Sequence, residues 1–275
     1  MRILPVQYNN YNSSQPSFKS FNRSVFGANK GLLYCNDTWF FRSGGFWNEL
    51  LNFLKDNFRD VTKANVYCYG CSDGSEVLSF IMKVLADEDK NLAHKFLPVI
   101  AKDRDQEVIK KAKSKDYFYI KNRERDDIDY YGGGRFNEYF SIIDKTHDGC
   151  FAYASPKLYE NVKFSVANIE KDCSNIQPNN SVVFVRNFWP YIRSAKKRQN
   201  ILDKLSNQLK DNSYIIIGDY DMHGTFGAIE DEIIRAGFQK TEIDYVYKKV
   251  KIDNVNNSNE KQCRPKDFFK TYFNV

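Results

Sequence analysis

The chain has 275 residues, and 42% of them are hydrophobic, so it can bury a full core in one large domain. No apolar run reaches the roughly 20 residues that cross a bilayer, and the N-terminus lacks the apolar core of a signal peptide. We therefore expect a cytoplasmic protein without direct membrane insertion. The net charge of +6 comes without a dominant block of lysine and arginine, which suits an acidic protein partner and does not require nucleic acid.

Helical and strand-like segments alternate in the order that a doubly wound α/β sheet requires. Apolar residues at helical spacing from Phe46 to Phe58 predict a first helix, and Val66 to Tyr69 predict a buried strand. The later predicted strands cover residues 96–101, 162–166, 182–186, 214–218, 239–243 and 245–250. The later predicted helices cover residues 76–85, 106–113, 195–209 and 229–236.

The pattern changes between residues 117 and 162. Short strand-like runs at 139–143 and 149–153 are joined by turn residues, which predicts a small antiparallel insertion near residues 130–160. Residues 1–33 are rich in Asn, Ser, Gln, Tyr and Phe without helical periodicity, and residues 251–275 begin with a polar stretch. We therefore predict an N-terminal arm (1–33), a main domain (34–250) and a C-terminal tail (251–275).

The first predicted strand breaks at Gly70-Cys71-Ser72-Asp73-Gly74 and continues as a helix. Glycines let the backbone approach a ligand closely, and free amides at a helix start attract electron-rich atoms. Asp103 ends the next strand, where it can accept hydrogen bonds from a ribose. This arrangement predicts a site for a nucleoside cofactor.

Three other interpretations of Gly70 to Gly74 compete with this one. A dinucleotide cofactor is disfavoured because the segment lacks the full G-x-G-x-x-G spacing, and Asp103 lies farther away than the ~20 residues expected. The segment also spells G-x-S-x-G, which would make Ser72 a hydrolase nucleophile, but none of the chain's three histidines is placed as a triad base. The third interpretation is a plain turn between two core elements.

Six cysteines are scattered along the chain, and Cys68 and Cys71 form a lone C-x-x-C. No second pair completes a zinc site, so we predict buried, reduced packing residues and no metal.

Five short motifs follow one another between residues 34 and 221. They are Asn36-Asp37-Thr38-Trp39-Phe40-Phe41-Arg42; Gly70-Cys71-Ser72-Asp73-Gly74-Ser75-Glu76; Asp103-Arg104-Asp105 followed by Ala112 and Tyr117; Val162-Lys163-Phe164 followed by Asn168-Ile169; and Val185-Arg186-Asn187 followed by Tyr191. Together they resemble the motifs of the CheR-type chemotaxis-receptor methyltransferases, which use S-adenosylmethionine (SAM) to esterify glutamate side chains. The resemblance implies a class I SAM-dependent methyltransferase fold, that is, a Rossmann-like, doubly wound, mostly parallel seven-stranded sheet with a small antiparallel β insertion.

The resemblance also implies site residues. Arg42 would hold the acceptor carboxylate and Tyr191 would donate to it, which makes these two the predicted catalytic residues. Glu76 would face the cofactor's amino-acid moiety, and Asp103 its ribose hydroxyls. The full set of predicted cofactor-binding residues is Asn36, Thr38, Arg42, Gly70, Cys71, Glu76, Asp103, Asn168, Ile169, Arg186 and Asn187.

The chain departs from the family pattern at several positions. Lys102 stands where the family usually has a small or hydroxylic residue, Ser75 replaces the first glutamate of G-E-E, and Phe188-Trp189-Pro190 replaces an aliphatic run. The family's basic helical domain would precede Asn36, and we expect it to be mostly missing.

The resemblance implies a monomer that acts on an acidic protein, such as a chemoreceptor cytoplasmic helix. The alternative is a catalytically weak sensor or scaffold that binds SAM or its product, S-adenosylhomocysteine (SAH). In some members of the family the antiparallel insertion docks a receptor tail by strand addition, and a surface flap over the cofactor is the other interpretation.

Overall fold

The computed structural model describes residues 25–26, 33–34, 38–210, 212–225 and 227–250. Asn36, most of the predicted arm and the whole predicted tail lie outside these residues. The described strands are β1 (Val25–Phe26), β2 (Leu33–Tyr34), β3 (Asn65–Tyr69), β4 (Val99–Asp103), β5 (Phe118–Lys121), β6 (Phe140–Lys145), β7 (Gly149–Ala154), β8 (Val162–Val166), β9 (Ser181–Phe184), β10 (Tyr214–Ile216), β11 (Phe238–Lys240) and β12 (Val246–Lys249).

Helices alternate with these strands. They are α1 (Phe46–Asn57), α2 (Ser75–Ala86), α3 (Asn91–Phe96), α4 (Gln106–Ser114), α5 (Asn122–Tyr131), α6 (Phe136–Tyr139), α7 (Pro156–Tyr159), α8 (Ile169–Asp172), α9 (Ala195–Gln208), α10 (Asp219–Gly224) and α11 (Ala228–Arg235). Cys173–Asn175 and Trp189–Tyr191 form short 3-10 turns. No helix in the described part of the chain is long and apolar enough to span a membrane.

Seven strands form the main sheet in the order β11-β12-β10-β9-β3-β4-β8. The strands from β10 to β8 are parallel, whereas β12 runs antiparallel to both of its neighbours, β10 and the edge strand β11. Every residue of β9 and β10 is buried, as expected for central strands covered by helices on both faces. The sheet confirms the predicted class I methyltransferase fold, including the terminal antiparallel hairpin.

The sheet separates two hydrophobic clusters. Val66 and Cys68 of β3 pack into one with α1 and α2, and Tyr67 and Tyr69 pack into the other with α9 and α11, because successive strand side chains point to opposite faces. The described free cysteines, Cys68, Cys71, Cys150 and Cys173, are all buried, which confirms the packing interpretation for Cys68 and Cys71.

A second, three-stranded antiparallel sheet has the order β5-β7-β6. Its strands β6 and β7 match the predicted runs, but β5 lies ahead of the predicted 130–160 segment and pairs with β7, with Phe118 opposite Ala152. A four-residue strand has too little alternation to be recognised in the sequence. The strand predicted at 96–101 was also placed too early, since Phe96 ends α3 and β4 begins at Val99.

Candidate active site

An open cleft lies at the carboxyl ends of the parallel strands. The chain proceeds from β3 to β4 and β8 on one side and then returns to β9 and β10 on the other, and doubly wound sheets bind ligands at such a reversal. The cleft brings together every predicted site residue that the structure describes. They are Thr38, Arg42, Gly70, Cys71, Glu76, Asp103, Asn168, Ile169, Arg186, Asn187 and Tyr191.

Other lining residues were not predicted as cofactor contacts. They are Tyr69, Ser72, Arg104, Ala167, Glu170, Phe188, Ile192, Lys197 and Ile201. Tyr69 and Ser72 adjoin the glycine segment, so a wider motif would have included them. Lys197 and Ile201 come from α9, where helical periodicity does not distinguish a side chain that faces a ligand from one that faces the core.

The glycine segment is tied to the end of β4. The amides of Gly70 and Cys71 donate to the Lys102 carbonyl at 2.8 and 3.2 Å, and the Ser72 amide donates to Asp103 Oδ2 at 3.0 Å. These three amides precede α2, so they are not the free amides predicted at the helix start. They are engaged because the loop crosses the end of the neighbouring strand β4, whose polar groups accept their hydrogen bonds.

Gly74 begins the helical part of this segment with φ of 95°, a region that favours glycine. A Cβ at this position would lie 2.8 Å from the ring of Phe164, so a side chain is also excluded by the neighbouring strand β8. Close packing of the loop against the sheet thus requires a glycine here.

Asp103 is only 7% exposed and lies between two backbone donors. Its Oδ2 accepts from the Ser72 amide and its Oδ1 from the Asp105 amide, each at 3.0 Å. Burial raises the pKa of Asp103, and hydrogen bonds from the amides of Asp105, Ser72 and Arg104 oppose this rise. Each carboxylate oxygen has a second lone pair, so Asp103 can still accept hydrogen bonds from two ribose hydroxyls.

Glu76 and Arg186 form a buried ion pair across the cleft, with 3.0 Å between Glu76 Oε2 and Arg186 Nη1. The Arg186 side chain is fully buried, donates from Nη2 to Ser43 Oγ at 3.2 Å, and lies 4.8 Å from the ring centre of Phe46. Glu76 keeps free acceptor positions toward the cleft. The pairing of these two predicted residues with each other was not expected.

Two buried polar atoms of residues that line the cleft, Arg186 Nε and Asn187 Oδ1, have no hydrogen-bond partner among the described residues. Buried polar atoms without partners are costly, and a polar ligand in the cleft can satisfy them. Together with the Glu76 carboxylate, one donor and one acceptor on residues that line the cleft fit the ammonium and carboxylate of an amino-acid group. The residues of the cleft thus fit a cofactor with a ribose at one end and an amino acid at the other.

The sequence model of the CheR methyltransferase SAM-binding domain matches residues 36–224. The chain belongs to the CheR methyltransferase family. Its cofactor is S-adenosylmethionine, and the chain is a SAM-dependent methyltransferase. When bound, this cofactor supplies a methyl group on a sulfonium. No protein of curated function matches the chain.

Several solved methyltransferases resemble the chain. The N-methyltransferase NodS from Bradyrhizobium japonicum is 10% identical with a TM-score of 0.40, and the match covers 76% of this chain and 99% of that one. A TehB-like methyltransferase from Corynebacterium glutamicum is 11% identical with a TM-score of 0.36, covering 74% and 94%. A SAM-dependent methyltransferase from Clostridium acetobutylicum is 13% identical with a TM-score of 0.35, covering 64% of this chain and 50% of that one.

Thr38 and Arg42, from the described part of the first CheR motif, line the cleft. The Arg42 guanidinium lies 4.1 Å from the ring centre of Trp39 and 5.9 Å from that of Tyr220. The Tyr220 ring in turn lies 6.0 Å from the ring of Tyr191. Aromatic faces attract a guanidinium and restrict its plane, so Trp39 and Tyr220 restrict Arg42, and Tyr220 also contacts Tyr191.

Two buried side chains hold this motif in place. The amide of Phe41 donates to Ser79 Oγ of α2 at 2.8 Å, and the amide of Phe40 donates to Glu124 of α5 at 3.3 Å. Burial raises the pKa of Glu124. The small antiparallel sheet and its helix α5 therefore support the segment that carries Arg42.

Two departures from the CheR pattern have a structural basis. Lys102 forms a salt bridge with Asp172 at the end of α8, and the hydroxyl of Tyr69 donates to the same carboxylate, so Lys102 links β4 to the helix after β8. Ser75 donates its hydroxyl to Asp73 Oδ1 at 2.7 Å, which stabilises the start of α2. Both replacements therefore make local contacts of their own.

Proposed function

We propose that this methyltransferase is a CheR-type protein-glutamate O-methyltransferase that acts on a chemoreceptor-like or other acidic protein. The observation that supports it best is that Arg42 and Tyr191 both line the SAM cleft and both lie near Tyr220. A planar guanidinium and a phenol together supply the donors that hold an incoming carboxylate.

The chemistry of the acceptor agrees with this proposal. Methyl transfer from a sulfonium is a displacement, and a glutamate side chain, with a reference pKa of about 4.3, is already ionised at neutral pH. Methyl transfer to glutamate therefore needs alignment of the reactants and exclusion of water, but no general base. A hydroxyl acceptor would have to lose a proton to a base.

The described cleft lining contains no histidine that could act as this base. Its carboxylates Glu76 and Asp103 are engaged by Arg186 and by two backbone amides. Glu170 follows β8, which is separated from β9 and Tyr191 by two strands of the sheet. An acceptor that arrives ionised therefore fits these residues best.

Charge at one side of the cleft favours an acidic partner. The exposed residues Arg193, Lys196 and Lys197 lie in or just before the first turn of α9, which contains no acidic residue, and Lys197 lines the cleft. The amides at a helix start add a positive potential of their own. This cationic edge suits a protein segment rich in glutamate.

The test uses purified protein, labelled SAM and acidic proteins from a cell extract. We expect label that mild alkali releases, as for a methyl ester. Tyr191→Phe removes one hydrogen bond to a charged group, worth about 1.5 to 3 kcal/mol, so transfer should fall roughly 10- to 150-fold. Arg42→Lys loses the planar fork and should cause a loss of similar size.

Matched controls are Tyr153→Phe and Arg59→Lys, since both side chains are exposed and lie outside the cleft lining. They should transfer methyl groups at the wild-type rate. Label that survives alkali would instead indicate N-methylation. SAH binding without any transfer would favour the sensor.

A further inference from the structure

Helix α10 contains none of the predicted site residues, yet three consecutive side chains at its start contact the machinery around the cleft. Asp219 Oδ1 accepts from Ser43 Oγ at 3.3 Å, and Ser43 in turn accepts from Arg186. Tyr220 lies beside Arg42 and Tyr191. The third residue, Asp221, is completely buried and does not line the cleft.

The carboxylate of Asp221 accepts hydrogen bonds from three backbone amides. Oδ2 accepts from Asn187 at 2.6 Å and from Gly218 at 2.7 Å, and Oδ1 accepts from Trp189 at 3.1 Å. These donors belong to the two loops that follow β9 and β10. A buried carboxylate with several amide donors is a strong constraint, because leaving any of these groups without a partner is costly.

The loop after β9 needs such a constraint. Asn187 has φ of 61°, in the left-handed region that side chains other than glycine seldom adopt. Its carboxamide lies against Gly218, where a Cβ would come within 2.1 Å of Asn187 Oδ1. Asn187 and Gly218 are therefore closely packed, and the Asp221 carboxylate accepts a hydrogen bond from the amide of each.

We propose that Asp221 is a positioning residue for methyl transfer, which holds the loop that carries Asn187 and Tyr191 and fixes the orientation of α10, without touching the cofactor. Misplacement of a reacting group by about 1 Å can reduce a rate on the order of 100-fold. The proposal rests on the methyltransferase activity and does not depend on glutamate as the acceptor. The assay therefore counts all methyl label transferred from SAM, whether or not mild alkali releases it.

Asp221→Asn has nearly the same shape and tests the hydrogen bonds alone. The amide oxygen can replace Oδ2, but the NH2 group then faces the Trp189 amide, donor against donor. We expect about a 100-fold lower kcat. The KM for SAM and the SAH dissociation constant should change less than about 5-fold, because Asp103 at the end of β4 and Glu76 in α2 keep hydrogen bonds of their own that do not involve Asp221.

Gly218→Ala displaces Asn187 without altering the carboxylate, and it should lower kcat in the same way. The matched control is Glu232→Gln, which also replaces a buried carboxylate by an amide. Glu232 binds Arg198 at 2.6 and 2.8 Å between α9 and α11 and is absent from the cleft lining. This control should lose stability but keep the wild-type kcat.

The decisive measurements are label transfer at pH 8.5, SAH calorimetry and amide hydrogen exchange by NMR for all four proteins. Faster exchange at Asn187 and Trp189 in Asp221→Asn, together with low kcat and near-normal SAH affinity, supports the proposal. It is overturned if these amides exchange as in the wild type, or if kcat falls no further than in Glu232→Gln. If the wild type transfers no label, exchange that stays unchanged at these amides still overturns it, and faster exchange supports it.

Discussion

Replacement of Asp103 should weaken cofactor binding more than any other single change at the ribose end of the cleft. The carboxylate is 7% exposed and accepts backbone amides through both oxygens, and its remaining lone pairs can accept ribose hydroxyls. Asp103→Ala would leave those hydroxyls buried without acceptors. This costs about 1 to 3 kcal/mol, or roughly 5- to 150-fold in affinity.

The measurement is calorimetry with SAH, and Asp105→Ala is the matched control. Asp105 lies two residues away, caps α4 by accepting from the amides of Glu107 and Val108, and is absent from the cleft lining. Its replacement should cost about 1 kcal/mol of stability but leave SAH affinity unchanged. Equal loss in both variants, or no loss in Asp103→Ala, would refute the ribose role.

The same experiment has a pH dependence. Burial raises the pKa of Asp103, and protonation would convert one acceptor oxygen into a donor. SAH affinity should therefore fall as the pH decreases toward that raised pKa. Asp103→Ala should not show this part of the decrease.

Three further predictions concern stability, measured by urea denaturation. Glu76→Ala leaves the buried Arg186 charge without its partner and should lower the free energy of unfolding by about 3 to 5 kcal/mol; a loss below about 1 kcal/mol would contradict this. Gly74→Ala introduces strain and a contact with Phe164 and should cost roughly 1 to 3 kcal/mol, whereas an unchanged midpoint would contradict it. Burial raises the pKa of Asp221 from 3.8 to about 7. Between these two pH values the folded state binds a proton that the unfolded state has released, so the free energy of unfolding decreases as the pH rises toward about 7. Asp221→Asn should therefore be more destabilising at pH 5 than at pH 8, and a larger effect at pH 8 would contradict the raised pKa.

The sequence by itself determined the family, the cofactor class and the main sheet. Alternating helix and strand periodicities recur along the chain and can be recognised from neighbouring residues alone. The motif residues lie at or just after the carboxyl ends of strands, so their place in the fold follows from the predicted strands. Gly70, Asp103 and Arg186 could be predicted for this reason. Once the strands are parallel, their ends must meet at one edge of the sheet.

The partners of these residues were decided by tertiary structure. Glu76 and Arg186 are 110 positions apart, and they meet because β9 pairs with β3 in the middle of the sheet. Asp221 could not be recognised from the sequence, because the residue type does not distinguish a buried aspartate that accepts three amides from a solvated one. Strand order determines which backbone donors lie near a side chain. Long-range packing therefore established the ion pair, the engaged amides of the glycine loop and the support beneath Asn187.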